Sequence, residues 1–358
     1  MFSKKRLNNK EREIMNEEKL KEMMSRWLTK DEIKECVDYL KTQGKTVYSI
    51  SRLDNYSNCK MNYFLTYIMG NYGGDSCYSR IGSDVHEHLE MIYKGEETVE
   101  QMQEQIPDQI EFTKLFYPFP SANIEKKYCE DIIQFTKDFQ KQNYHKTYCE
   151  RGFIVKIGDS YIQGYIDLTI VNEDGSADIV DYKTSSAYTK EGIEEHSKQL
   201  LLYACAYKTI EGYFPKSVAW YMLKYYAVTD KQGKSKEPKL LNRSTWVKDV
   251  SSKIKTHLKK LGQDTELLLD MAVKNNDITL LPQEIQDRFV LKEAFVEYPI
   301  NQETIEGLYD YLVGTITEIE SRDKDNTLLW QPNRQSADFF CINLCSNYCR
   351  CFGRNEEN

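Results

Sequence analysis

The chain has 358 residues, 40% hydrophobic and 29% charged, with a formal net charge of −8 at pH 7. That balance describes a globular protein with a sizeable core and excludes a disordered chain. No apolar run approaches the roughly 18–20 residues that cross a bilayer, so no membrane partner is expected. The acidity weighs against a protein that coats nucleic acid over its whole surface, but leaves room for a local basic groove.

In chain order, residues 1–45 read as a charged helical segment. The opening "MFSKKRLNNKEREIMNEEKL" lacks the apolar core of a signal peptide, which makes the cytoplasm the expected location. Thr29 with Glu32 three residues on predicts a capping box. Ile33, Cys36, Val37 and Leu40 continue as an apolar stripe, and Gly44 closes the helix. A core unit is expected over 46–226. It starts with a short β-like run, a cap at Ser51 and an aromatic-rich helix. "IGSDVHEHLEMIYKG" predicts a helix beginning near Gly82–Ser83. Residues 96–125 are poorly periodic, and "YPFPS" reads as a loop; "IEKKYCEDIIQFTKDFQKQN" returns to helix.

From Glu150 the period becomes two. Three antiparallel strands are expected, with turns at Gly158–Asp159 and Asp174–Gly175. A helix over 192–210 and a strand "SVAWYMLKYYAV" follow. A basic and helical insertion is expected over 227–329, with helices from Ser244 and over 303–322. The end, 330–358, is a cysteine-rich tail expected to pack back on the core. This order implies an α/β fold with a mixed sheet.

The hairpin "GYIDLTIVNEDGSADIVDYKTSS" concentrates charge on sheet positions. Alternation puts Ile162, Gly164, Ile166, Leu168 and Ile170 on one face, and Tyr161, Gln163, Tyr165, Asp167 and Thr169 on the other. Asp181 and Lys183 share a face of the partner strand. A turn at Asp174–Gly175 brings Asp167 opposite position 182, or opposite Asp181 with a one-residue shift. Two carboxylates held that close repel. A hard divalent cation with oxygen ligands removes the conflict, and a lysine beside it can orient a water for phosphodiester hydrolysis. An ion pair between Lys183 and either aspartate is the plainer account of the same residues.

Two further clusters stand out. Residues 224–260 hold 11 Lys/Arg against 3 Asp/Glu, a local balance of +8. Lys224, Arg243, Lys255 and Lys259 could contact phosphates there, with Tyr225, Tyr226 and Trp246 for base stacking; a solvated lysine-rich helix face explains the same pattern. Of ten cysteines, Cys341, Cys345, Cys349 and Cys351 crowd into eleven residues. In a cytosolic setting that crowding points to a metal or cluster, not to disulfides.

These motifs together resemble the RecB-type branch of the PD-(D/E)XK nuclease superfamily. There a strand carrying Gly-x-x-Asp is followed, after a turn, by Asp-x-Lys-Thr: here Gly164 and Asp167, then Asp181, Lys183 and Thr184. Gly82 and His86 match that family's early helix, Gln199 and Tyr203 its Gln-x-x-x-Tyr helix, and Glu150 the acidic residue that often opens its first strand. The resemblance spans roughly 47–226 and 330–351. It implies a restriction-endonuclease-like core, a central mixed β-sheet flanked by helices, with helical N-terminal and insertion segments. It implies Mg²⁺ or Mn²⁺ held by His86, Asp167, Asp181 and the Tyr182 carbonyl. Lys183 would position the attacking water, and Gln199 and Tyr203 the scissile strand or the lysine.

The activity so implied is a DNA exonuclease, acting on single strands or ends, in recombination, repair, phage replication or CRISPR adaptation. A phage-encoded protein would work in the host cytoplasm. Cys59, in "SISRLDNYSNCKMNYF", is similar to the cysteine that in AddB and CRISPR-associated adaptation nucleases joins three C-terminal ones around a [4Fe–4S] cluster. The resemblance therefore implies Cys59, Cys341, Cys345 and Cys351 as ligands; zinc on Cys341, Cys345, Cys349 and Cys351 is the rival. Three departures stand: three residues, not two, separate Cys341 from Cys345, Lys60 replaces a frequent proline, and Ile166 replaces the proline that named the superfamily. The sequence contains no Gly-x-x-x-x-Gly-Lys-Ser/Thr, so a helicase or recombination partner would be a separate polypeptide. A catalytically inactive nucleic-acid-binding module with a structural metal cluster is the alternative function.

Overall fold

The computed structural model describes residues 15–263, 265–333, 335 and 338–352. Expectations for 1–14 and 353–358 lie outside the described residues. Seven strands form one mixed sheet: β1 (Val47–Tyr48), β2 (Lys146–Ile157), β3 (Ser160–Val171), β4 (Ala177–Lys183), β5 (Ser217–Asp230), β6 (Lys239–Asn242) and β7 (Phe289–Glu297). The path runs β1-β3-β4-β5-β6, with β2 on β3 and β7 on β5. β2, β3 and β4 are antiparallel, as the period-two runs require. Gly158 and Gly175 supply the left-handed positions of their turns, at φ 59° and 82°. β1 pairs β3 and β4 pairs β5 in parallel.

The helices in order are α1 (Glu17–Met24), α2 (Lys30–Thr42), α3 (Ile50–Asn58), α4 (Lys60–Tyr63), α5 (Cys77–Lys94), α6 (Val99–Phe116), α7 (Ala122–Asp138) and α8 (Lys190–Glu211). After the strand β5 come α9 (Trp246–Asp249), α10 (Ser251–Lys260), α11 (Thr265–Asn275), α12 (Gln283–Gln286), α13 (Gln302–Ser321), α14 (Phe339–Asn343) and α15 (Tyr348–Phe352). The Thr29–Glu32 capping box forms at the start of α2.

Successive residues of β4 feed opposite cores, because strand side chains alternate. Ile179 packs with Leu200, Ala204, Trp220, Leu312 and Trp330 under α8 and α13. Val180 packs with Val85, Leu89, Ile132 and Phe135 under α5 and α7. A strand buried on both faces reads as a continuous apolar run; in "ADIVDYK" the charges sit near its ends, Asp178 bound by Asn172 and Ser217, and Asp181 and Lys183 at the site. α1 and α2 cover Ile154 of β2, and α9 to α12 enclose a further core with Val228 and Phe289.

Several local expectations change. Residues 99–116 are helical: Met102, Ile106, Ile110 and Thr113 form its buried stripe. Pro107 inside the helix and the exposed Phe112, Leu115 and Phe116 mask that period in the sequence. α5 starts five residues before Gly82, capped by Ser76. Gly82 serves a close approach instead, because a Cβ there would lie 3.0 Å from Thr184 Oγ1. α3 is capped by Ser49, not Ser51. The expected core boundary at 226 falls inside β5, and β6 and β7 from the 227–329 segment pair with that strand.

The end of β5 is fastened to the later helices by one carboxylate. Asp230 accepts two bonds from Arg288, at 2.7 and 2.9 Å, and one from Lys253 of α10 at 2.8 Å. Arg288 first, then Lys253, holds the Asp230 carboxyl well below the usual carboxylate range. A depressed folded pKa means stability present above about pH 4 and lost progressively as pH falls below it. Asp230→Ala is therefore expected to cost about 3–5 kcal/mol at pH 7, with the gap to wild type narrowing below about pH 4. Denaturant unfolding at several pH values measures both.

Candidate active site

The last paired residues of the β3–β4 hairpin are Leu168 and Val180, so Asp167 and Asp181 stand side by side one step beyond. The sequence left the register open; the pairing with Asp181 is the one adopted. Asp167 Oδ2 accepts the Tyr182 N–H at 2.8 Å. Burial, then repulsion from Asp181, pushes the Asp167 carboxyl well above its ordinary value, against the pull of Lys183 and the Tyr182 N–H.

Lys183 closes a ring around Asp181. Its Nζ lies 2.6 Å from Asp181 Oδ2 and donates to Gln199 Oε1 at 2.8 Å. Gln199 Nε2 donates to Tyr203 OH at 2.8 Å, and that hydroxyl donates to Asp181 Oδ1 at 3.3 Å. Gln199 and Tyr203 sit four apart on α8, hence on one helix face. Burial alone would lower the Lys183 ammonium, but Asp181 and Asp167 hold it above its usual range. The lysine is thus charged and fixed.

His86 of α5 completes the patch. Its Nδ1 is 3.6 Å from Asp167 Oδ2, and its ring meets that of Tyr182 edge-on. Burial pushes its pKa down to about 4, leaving the neutral imidazole that can ligate a metal. Side-chain exposures of 30% for His86, 21% for Lys183 and 13% for Asp167, against 2% for Asp181, show that the patch opens on one side.

Glu150 behaves differently from the expected strand-opening residue. It lies within β2, opposite Asp167, at φ 50°, and pairs with Lys30 at 3.3 Å. At this level the alternation of β3 slips. Ile166 packs in the core under α8, while Leu168 and Ile170 pack in the opposite core under α5 and α7. The single apolar face expected from Ile162 to Ile170 is therefore two faces, and Asp167 occupies the switch.

The donor set fits a hard divalent cation: two carboxylates, a neutral imidazole and a nearby backbone carbonyl, reached by solvent from one side. Among the described residues no three His, Cys, Asp or Glu side chains meet closely enough to hold an ion as they stand. Asp181 is instead neutralised by Lys183.

The basic segment divides. Arg243 is fully buried, donating to the Leu223 carbonyl at 2.6 Å and paired with Glu293, its guanidinium over the Tyr226 ring. It cannot reach a phosphate; its charge serves the interior. Tyr226 binds Asp138 and Trp246 lies in the core under α10, so these two rings pack and do not stack on bases, whereas Tyr225 accepts the Ala187 N–H and faces a cavity. Lys255 and Lys259 are exposed on α10. That helix is fastened at Asp230, eight residues or roughly 25 Å along β5 from Met222, the partner of Lys183. Lys224 is buried and lines a cavity beside Thr184 and Ser185, with Tyr78, Tyr128 and Asn242. No spacing signal announces a cavity whose walls come from five elements; of its lining, the sequence singled out Lys224, Tyr225 and Thr184 but gave no sign that they meet.

Cys59, Cys341, Cys345 and Cys351 line one small pocket, together with Asn62 and Asn347; Cys349 is exposed and outside it. The Cys351 thiol is pushed up to about 11 by burial and by Cys59, Cys345 and Cys341.

The model of the PD-(D/E)XK nuclease superfamily matches residues 47–303, more than half of the chain. The chain belongs to the PD-(D/E)XK nuclease superfamily. Its mixed sheet flanked by helices is the restriction-endonuclease-like core of that superfamily. No curated protein sequence matches it. Among solved structures it is similar to a protein of Eubacterium rectale provisionally assigned as an exonuclease, at 14% identity and a TM-score of 0.31, over 76% of this chain and 96% of that one. No helix among the described residues is long and apolar enough to cross a membrane.

Two adjacent buried carboxylates cost stability, so this candidate site should be a strained spot in the absence of divalent metal. Asp167→Asn keeps an acceptor for the Tyr182 N–H and removes the repulsion. In EDTA it is expected to stabilise the fold by about 1 kcal/mol, some 2 °C in thermal denaturation; a destabilised variant would refute the strain.

Proposed function

We propose that the chain is a Mg²⁺- or Mn²⁺-dependent deoxyribonuclease of the RecB-like branch, acting as an exonuclease on ends or single strands. The observation that carries this reading is the closed ring of Lys183, Gln199, Tyr203 and Asp181 beside Asp167, open to solvent on the His86 side. Asp167, Asp181, His86 and the Tyr182 carbonyl would hold the ion. Bound there, it would supply Lewis acidity toward the phosphate and a more acidic water.

The chain's own contribution is positional. An ammonium has three N–H donors. Lys183 donates one to Gln199, sets its charge against Asp181 Oδ2, and keeps a donor for a water or a phosphate oxygen. Its fixed positive charge sits where negative charge develops on the phosphoryl group. Gln199 and Tyr203 act through Lys183 and Asp181, so they are positioning residues. Incubation of the purified protein with labelled single- and double-stranded DNA and Mn²⁺ tests the reading. Wild type should degrade DNA; Asp181→Ala should abolish cleavage and leave DNA binding within a few-fold. Tight binding without degradation by wild type would favour the inactive binding module. Gln199→Leu should lower kcat about ten- to hundredfold with KM little changed.

We also propose that Cys59, Cys341, Cys345 and Cys351 carry a [4Fe–4S] cluster. What supports this set is that one pocket gathers Cys59 with three cysteines 282 to 292 positions later, and leaves Cys349 outside. A link across so long a loop removes unfolded-state entropy, which suits a structural role. Anaerobically purified protein should be brown, with iron and sulfide lost in Cys59→Ala. A colourless protein containing zinc, or no metal, would contradict the cluster.

A further inference from the structure

The cavity that Lys224 lines has a volume of about 690 Å³, within the range of small-molecule sites. Its walls include Thr184 and Ser185, the residues directly after Lys183, and Ser79 of α5. Ser79 and His86 lie seven residues apart on that helix, about 10 Å. The cavity therefore adjoins the candidate active site, within reach of a strand engaged there.

Its lining is unusual in one respect. Lys224 is 7% exposed, yet its ammonium has no hydrogen bond or ion pair among the described residues. It sits over the Tyr128 ring, 4.5 Å from the centroid, and Tyr128 is itself cavity wall. Asp131, the carboxylate whose field it feels, is occupied by Asn242 and by both donors of Ser244. Burial pulls the Lys224 pKa down to about 8. A largely buried lysine whose ammonium faces a cavity without a paired carboxylate is a site that an anion in that cavity would complete. Tyr78, Tyr128 and Tyr225 present aromatic surface to the same space.

We propose that this cavity is a nucleotide subsite for the strand acted on at the Lys183 centre, with a phosphate on Lys224 and a base against the tyrosines. The identity of the strand rests on the nuclease reading; the pocket's preference for a nucleotide does not. Stacking on an aromatic wall with a cation at the phosphate is how single strands are held without base-specific contacts.

The test uses the full chain in EDTA, titrated calorimetrically with thymidine 5′-monophosphate, with thymidine and with inorganic phosphate. The nucleotide should bind at least tenfold more tightly than thymidine. Lys224→Met should erase that difference while melting no lower than wild type, and Lys224→Arg should keep it. Equal binding of the nucleotide by wild type and Lys224→Met, or none by wild type, would overturn the subsite. A protein that cleaves DNA but fails this test loses the subsite alone; one that passes but cleaves nothing loses the nuclease reading alone.

Kinetics on linear oligonucleotides with and without terminal phosphates, and on a closed circular single strand, then locate the phosphate. A KM raised about tenfold by Lys224→Met on every substrate places an internal phosphate on Lys224, and a rise confined to terminally phosphorylated strands places a chain end there. No rise on any substrate would overturn the proposal.

Discussion

Two carboxylates forced together at the end of a hairpin are the constraint around which the rest is arranged. Asp167 and Asp181 arrive side by side by strand register, in a place where burial magnifies their repulsion. A fold built only for stability would separate them or substitute one. Here the conflict is kept and contained: Lys183 neutralises Asp181, the Tyr182 N–H supports Asp167, and α8 supplies an amide and a phenol that hold the lysine in place. Such an arrangement costs stability.

The scaffold explains how so few residues can be held so exactly in position. α8 buries Leu200, Leu201, Leu202 and Ala204 against the sheet, which fixes the helix and hence the height and rotation of Gln199 and Tyr203. α5 is brought down onto the end of β4 by a missing side chain at Gly82, so that His86, one turn further, reaches Asp167. Both helices are anchored in opposite cores, and the candidate site lies on β3 and β4 between them. The arrangement follows the general tendency of α/β sheets to place ligands beyond the carboxyl ends of their strands.

Much of this was readable from the residues, and the failures have physical causes. Local rules brought Asp167, Asp181 and Lys183 into one neighbourhood but not into register: a two-residue turn would set Asp167 opposite Tyr182, whereas the connection over residues 172–176 sets it opposite Asp181. The switch of faces at Asp167 was not readable: it accompanies a left-handed backbone at Glu150, a residue whose identity does not demand one. α6 was lost to Pro107, since propensity argues against a helix that tertiary packing nevertheless sustains. Arg243 misled for the opposite reason. A charge count cannot tell an arginine on the surface from one enclosed by Phe135, Tyr226 and Glu293. β7 joins the sheet through partners about seventy residues away, beyond any local pattern. The gathering of Cys59 with the tail cysteines was expected from resemblance alone and had no local signal of its own.

On the reading proposed above, Asp167 and Asp181 form one receptor for a divalent cation. Titration of Mn²⁺ into the DNA-free protein, followed by the electron paramagnetic resonance signal of the unbound ion, tests it without any reaction. Wild type should show a saturable site that disappears in Asp167→Ala and in Asp181→Ala while both variants remain folded. Undiminished Mn²⁺ binding in the double variant would contradict it.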